Sequence, residues 1–345
     1  MIRQIIAIFV ATILATIAFA TASFADNDVA ELYRKVNRDN IVDYSRAVED
    51  IAASGDAAVA DLLSVLTTAP PARADDDLSP KDKLKAKVTA MEILGEIQNP
   101  SVLPTLDTMF NKSGNHREIY NSARTIGKIG GPAAFQILAK ALKKSKSSVS
   151  ANASQRIKAS VIGLGLCGEA KAIPLLKAEL KNTKNDKLTR IYASGSLGML
   201  GSKEGYSFAL ASVNSESKSI RMGAIRALGY IGNPAALDLL NRIDSENNKY
   251  STRKLARASI VMIKSSQLSG DEMLNHLEIA LSNNPRMNEM AHWGTLKLKK
   301  VNTKKSRKVL TNLADISGPG YFSLRHAAAM KIKTMKKESG NKTKK

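Results

Sequence analysis

Apolar residues recur at helical spacing along most of the chain, and one stretch shows the pattern at its clearest. In Ile220–Asp244, IRMGAIRALGYIGNPAALDLLNRID, residues Ala224, Ala227, Leu228 and Ile231 fall at i, i+3, i+4 and i+7. That is the apolar stripe of an amphipathic helix. Gly232-Asn233-Pro234 ends it. Proline is tolerated at the first position of a helix, where its missing N–H would be unpaired anyway. Pro234 therefore opens a second helix, with Leu237, Leu240 and Ile243 on one side. A lone pair of helices cannot bury both stripes, so the unit needs neighbours of the same kind.

The chain supplies them. Taking Gly229 as a marker, seven positions share its surroundings: Gly95, Gly127, Gly165, Gly198, Val261, Leu296 and Lys333. The successive intervals are 32, 38, 33, 31, 32, 35 and 37 residues. Five residues before the marker stand Ala90, Ser122, Ser160, Ala193, Ala224, Ala256, Ala291 and Ala328, all small. One before it every row but Thr295 carries Leu or Ile. A fixed period with one supersecondary unit per repeat is the mark of a solenoid. Small residues at one register also mean close helix crossings, so Gly198 and Gly229 are expected where the two helices of a hairpin touch. Asn99-Pro100, Gly131-Pro132 and Asn233-Pro234 each open a second helix. The extra residues of the longest interval fall in Lys144–Gln155, a Ser-rich loop.

Arg190, Arg221, Arg253 and Arg325 hold one further column, with Lys87 in its first row, ahead of small residues, a Leu-Gly-x-Ile-Gly-like end and a short turn. This resembles the HEAT-repeat superfamily, in the short form known from phycobilisome lyases, over about residues 84–337. Tetratricopeptide repeats continue their helix past Leu-Gly, whereas Gly or Pro follows within five residues here. The resemblance implies an all-α, right-handed α-solenoid of about eight HEAT-like helical hairpins with an N-terminal helical cap. It also implies that the Arg column is structural, tying one repeat's turn to the next, and that second helices line the concave face.

Residues 1–25 change the picture of where this happens. Arg3, the apolar run Ile5–Ala20 and the small-x-small site Ser23-Phe24-Ala25 read as a signal peptide, with Asp26 as the mature start. A retained anchor helix is the competing reading; Thr12, Thr16, Thr21 and Ser23 dilute the run and favour cleavage. No later segment is apolar enough to span a membrane. The address is thus export, to a periplasm or outside the cell. Residues 26–66 form an acidic helical cap, 67–83 a Pro/Asp-rich linker and helix start, 84–337 the repeats, and 338–345 a disordered basic tail. Ser79 is the expected N-cap of the first repeat helix, with Pro80 at N1 and Asp82 at N3.

Charge follows this division. The chain carries +21 overall. Residues 26–79 hold 12 acidic and 5 basic side chains, and residues 80–345 hold 19 and 46, a balance of +27. Such asymmetry points to an anionic partner for the repeats; a merely well-solvated lysine-rich surface is the competing reading. The second helices offer candidates. In Pro132–Lys144, Lys140 and Lys144 point away from Leu138 and Leu142; in Ala172–Lys184, Lys177 and Lys181 point away from Leu176 and Leu180. With Arg242 they would line the concave face that the resemblance implies.

Catalysis has no visible base. Gly163, Gly165 and Gly168 spell G-x-G-x-x-G, but a repeat helix precedes them where a dinucleotide site needs a strand. Asp75-Asp76-Asp77 lacks the alternate oxygens and mid-loop Gly of a calcium loop. His116, His276, His292 and His326 lie in different repeats, and no His-Glu metal pair is present. Cys167, the sole cysteine, sits in the buried column and reads as core. Trp293 reads as packing rather than a stacking platform. Export and few aromatics weigh against nucleic acid. The reading is an exported scaffold or adaptor that binds an acidic protein, glycan or lipid headgroup, with no catalysis, no cofactor and no metal. The alternative is a small-ligand lyase or chaperone of the phycobilin-lyase kind, acting in the solenoid groove.

Overall fold

The repeated columns become helices that stack in two layers. A computed structural model describes residues 51–52, 54–67, 79–148, 150–245, 249–283 and 307–315, with single positions at 290, 293, 294, 297, 298, 328 and 332. The expected signal peptide, most of the acidic cap and linker, Asp75–Asp77, Arg325, the markers Leu296 and Lys333, and the tail lie outside these residues. Every element among the described residues is helical. The chain divides into two compact units, residues 1–102 and 103–345. The boundary falls within the first repeat, after its marker helix.

In the first unit, a 3-10 turn over Gly55–Ala58 leads into α1 (Val59–Thr67), which packs on α2 (Pro80–Ile97). Leu62, Val65, Met91 and Leu94 are buried there. Ser79 caps α2, accepting from the Asp82 N–H at 3.2 Å, with Pro80 at the first turn. Asn99 donates to Asp56 at 2.7 Å and ties the two ends of the unit. At its C-terminus α2 turns through Gln98 in a left-handed conformation, φ 58°. Three residues after the marker, later rows place glycine at the same turn, as at Gly168 (φ 76°) and Gly232 (φ 69°). An L side chain is disfavoured there, so Gln98 is a strained copy of a glycine turn.

In the second unit the first helices of the repeats are α4 (His116–Ile129), α6 (Ala153–Leu166), α8 (Lys187–Met199), α10 (Lys218–Ile231) and α12 (Tyr250–Ser266). The second helices are α3 (Leu103–Lys112), α5 (Gly131–Lys146), α7 (Ala172–Lys181), α9 (Tyr206–Ser212), α11 (Leu237–Ser245) and α13 (Gly270–Asn283); α14 (Arg307–Asp315) follows. Pro234 opens not α11 itself but a 3-10 turn before it, with Asn233 accepting from Ala235 N–H at 3.1 Å. The small column is fully buried at Ser122, Ser160, Ala193, Ala224 and Ala256.

The glycine marker does its work between repeats, not within a hairpin. A Cβ on Gly198 would lie 2.6 Å from the Ile231 amide nitrogen, and one on Gly165 would lie 2.7 Å from Ser196 Cα. Both neighbours belong to the next first helix. The expected hairpin contact is therefore corrected: sequence periodicity identifies the close face but not the helix that meets it. Hydroxyls stitch the same interface. Ser196 donates to the Val161 carbonyl and Ser259 to the Ile225 carbonyl, each at 2.9 Å and buried.

The second helices stand further apart. Between α5 and α7 a groove of about 810 Å³ remains open to solvent. The closely packed first helices are termed the inner layer and the more widely spaced second helices the outer layer.

Candidate functional site

One cleft opens on the first-helix layer, across four successive repeats. Most of its residues come from a stripe at seven before, three before and one after the marker, an i, i+4, i+8 line on one helix face, and Tyr192, Ser196, Gly223 and Ala227 each stand one position further on. Helix α4 contributes Tyr120 and Arg124, and α10 contributes Arg226 and Tyr230. Between them α6 and α8 supply an apolar floor, including Ile162 and Leu166, together with Tyr192 and Gly195. The cleft holds about 300 Å³, at the lower end of small-molecule sites. No carboxylate is among the described residues that line it.

The cleft's electrostatics favour a negative guest. The Arg124 guanidinium lies over the Tyr120 ring, 5.6 Å from its centre, which holds the charge at the cleft mouth. Burial pushes the Tyr192 hydroxyl above its ordinary value; neighbouring Tyr120 and the Asp186 carboxylate add to this, and Arg226 opposes it. Tyr192 is thus a neutral phenol, able to donate a hydrogen bond. Sequence reasoning missed this cleft. The available signal was aromatic and cationic residues on a stripe that pure core packing would fill with Leu and Ile.

The lysines singled out from sequence lie elsewhere, on the outer layer. Lys140 and Lys144 of α5, Lys181 of α7 and Arg242 of α11 are exposed. Lys177 is half-buried and pairs with Glu204. The groove between α5 and α7 brings Lys140 and Lys143 beside Phe135, Leu142 and Leu175. Lys146 crosses to α7, 2.7 Å from the buried carboxylate of Glu179, which also accepts from Asn185 at 2.9 Å.

The Arg column caps helix ends. Arg190 donates to the Leu180 carbonyl at 2.8 Å and stacks 4.2 Å from the Phe208 ring centre. Arg221 donates to the Ser215 carbonyl at 2.6 Å, and Arg253 to that of Asp244 at 2.8 Å. These carbonyls sit at or just past second-helix C-termini, where intrahelical donors run out and the dipole attracts cations. Arg156, one residue out of register and absent from the sequence column, does the same for α3 through the carbonyls of Phe110 (3.1 Å) and Ser113 (2.7 Å).

The remaining motifs have structural surroundings. Gly163 and Gly165 lie inside α6, not at a helix N-terminus. Cys167 is buried, its Sγ donating to the Leu164 carbonyl at 3.1 Å. Trp293 is buried in a core cluster with Met262, Leu277 and Leu310. Among the described residues, no three His, Cys, Asp or Glu side chains gather as a metal site would require. No described helix is long and apolar enough to cross a membrane.

Comparison with known proteins bears on the stack as a whole. The family model for HEAT repeats matches residues 173–260, and that for the PBS lyase HEAT-like repeat matches residues 120–144. No curated protein matches the chain in sequence. Among solved structures, the chain is similar to the complex of CpcE and CpcF of phycocyanin lyase from Nostoc sp. PCC7120. That likeness has 16% identity and a TM-score of 0.47, covering 75% of this chain and 97% of the other. Human deoxyhypusine hydroxylase, in complex with glycerol, gives 14% identity and a TM-score of 0.35, covering 81% and 96%. An engineered protein gives 16% and 0.32, covering 92% and 91%. At these values the three are likenesses of helical stacking and nothing more. The two family matches fall between α4 and α12: residues 173–260 are HEAT repeats, and residues 120–144 are of the PBS lyase HEAT-like type.

Proposed function

We propose that the chain is an exported HEAT-repeat scaffold that binds an acidic protein partner on its outer layer and performs no catalysis. One observation carries this reading: Lys140 and Lys143 line an open groove with an apolar floor between two neighbouring second helices, and Lys144 and Lys181 stand exposed on the same two helices. An acidic, amphipathic segment complements such a surface, its apolar side meeting Phe135 and Leu175 and its carboxylates the lysines. The balance of +27 over residues 80–345 raises encounter rates with anions.

The test uses the purified chain and a poly-glutamate peptide. Affinity should fall steadily as salt rises, because exposed charges are screened over about 8 Å at physiological ionic strength. Reversing Lys140 and Lys181 to Glu should weaken binding further, with the circular dichroism spectrum unchanged. Equal binding by the reversed and original chains would sink the idea. Export has its own check: intact mass of the protein recovered outside the cytoplasm should correspond to a chain beginning at Asp26.

A second reading is a ligand-holding protein of the phycobilin-lyase kind. It is favoured by the overlap of the PBS lyase HEAT-like match with the inner cleft, since residues 120–144 include Tyr120 and Arg124. On this reading the protein isolated from its source should carry a small molecule, visible by absorption and by mass spectrometry under denaturing conditions. A ligand-free preparation from a source that makes such molecules would count against it.

A further inference from the structure

The groove between α5 and α7 has two unlike walls and one closed end. On α5 it runs from Phe135 to Ser147, about 18 Å at the helical rise. Lys140 and Lys143 stand exposed along that wall, and neither makes an ion pair among the described residues. The described residues of the α7 wall are Leu175, Ala178 and Glu179, with no cation among them. Lys146 closes one end by crossing to Glu179 at 2.7 Å. Lys146 is the last residue of α5, and Glu179 lies in the last turn of α7. The C-terminal ends of both helices therefore meet there. Each carries the partial negative charge of its dipole, and Lys143, Lys144 and Lys146 crowd the last turn of α5.

We infer that this groove receives an amphipathic α-helix of a partner protein, lying antiparallel to α5, with carboxylates in its N-terminal turns on the side that faces α5. This rests on the acidic-partner reading above and gives that partner a conformation, a direction and a charged flank. The conformation follows from the walls. Both are helices whose backbone groups are bonded internally, so they offer no open strand edge to an extended segment. A segment that enters the apolar floor of Phe135, Ala139, Leu142 and Leu175 must pair its own N–H and C=O groups, as a helix does. The flank follows from Lys140 and Lys143, which line the α5 wall, while Lys146 is already committed to Glu179. The direction follows from the dipoles. An antiparallel guest sets its positive N-terminus beside two negative C-termini. Carboxylates in its first turns are then favoured both by its own dipole and by Lys143. Its apolar stripe, at i, i+3, i+4 and i+7, runs on toward Phe135.

The experiment titrates the full chain with three fluorescent synthetic peptides of one composition, built from Glu, Leu, Ala and Gln and about fourteen residues long. The first carries its glutamates in the opening turns beside a leucine stripe. The second carries them in the closing turns, and the third is scrambled so that no stripe forms. The first should bind at least about ten-fold more tightly than either of the others, read by anisotropy. A photo-crosslinker at its N-terminus should mark the chain near Ser147, and one at its C-terminus near Phe135. Ala178 is exposed, so Ala178→Trp fills the groove without entering the core and should weaken the first peptide about ten-fold. Lys143→Glu should do the same, and Lys181→Glu, off the groove, should cost less than Lys143→Glu; circular dichroism checks that each variant is folded. The inference is overturned if either control peptide binds as tightly as the first, if Ala178→Trp binds it unchanged, or if the two cross-links exchange places. Poly-glutamate separates the two failures: if it still binds in a salt-sensitive way while the helix peptides fail, only the guest helix is lost, and if it too fails, the acidic-partner reading falls with it.

Discussion

The two helical layers of the second unit are built from the same repeats yet solve different problems. First helices meet at near-backbone distances. Gly198 faces the main chain of Tyr230 and Ile231, and Ser196 and Ser259 reach across to carbonyls of the preceding repeat. Second helices stand apart, leaving a groove beside exposed lysines. The tight layer sets the geometry, so its small residues have little freedom to change. The loose layer only needs to cover the core, so its outward positions are free to carry charge. Aromatic and cationic residues on the tight layer are therefore the more telling exception, since a stripe there is otherwise valuable for packing.

Substitutions can break this contrast in order of expected effect. The largest should come from Gly198→Leu, which drives a side chain into the next repeat's backbone; a loss of more than about 3 kcal/mol is expected from denaturant melts. Arg253→Ala comes next. It strips the donor from a second-helix C-terminus and should cost about 1–2 kcal/mol, as should Arg156→Ala despite its absence from the sequence column. Asp186 links the two effects, since it caps α8 by accepting from the Thr189 N–H at 2.7 Å and pairs with Lys158 of α6 at 2.6 Å. Burial raises its pKa, but the Lys158 and Thr189 hydrogen bonds and the Lys158 charge bring it below the ordinary 3.8. Its contribution is thus complete above that ordinary value and lost as pH falls through the lower folded one. Asp186→Ala should cost about 1 kcal/mol at neutral pH and flatten that part of the acid limb in thermal melts.

Smaller effects sharpen the comparison from the other side. Gln98→Gly should stabilise by less than about 1 kcal/mol, because it relieves a left-handed side chain but loosens the unfolded chain. Lys140→Ala and Lys181→Ala, on the outer layer, should stay within about 0.5 kcal/mol. If melts ranked the lysines above Gly198, the assignment of tight and loose layers would be reversed.

The sequence makes the stack legible because a helix face repeats every 3.6 residues and small residues mark close approach. Gly127, Gly165, Gly198 and Gly229 could be aligned on that ground alone. What period cannot reveal is the partner of a face. The same glycine column fits a contact within a hairpin or between repeats, and only coordinates separate the two. Register also hid Arg156, since its long side chain reaches a carbonyl from one position out of line. The cleft was hidden for a different reason. Tyr120, Arg124, Tyr192, Arg226 and Tyr230 come from three helices of different repeats, and no single stretch of sequence shows them together. Lys140, Lys144 and Lys181 are exposed, as their spacing from the buried leucines of the same helices predicts.

The unequal layers also decide how the stack would respond to force. Atoms in the first-helix layer are already at contact, and packed interiors have low compressibility. That layer can neither shorten nor, with its buried hydroxyl stitches, easily lengthen. It behaves as the neutral line of a bent beam, whose length is conserved while the outer fibre stretches or closes. Flexing of the repeats would therefore be taken up in the grooves between second helices. A ligand held on the inner layer would ride through that bending almost undisturbed, whereas a partner wedged into an outer groove would feel every change of curvature and, by occupying it, stiffen the whole array.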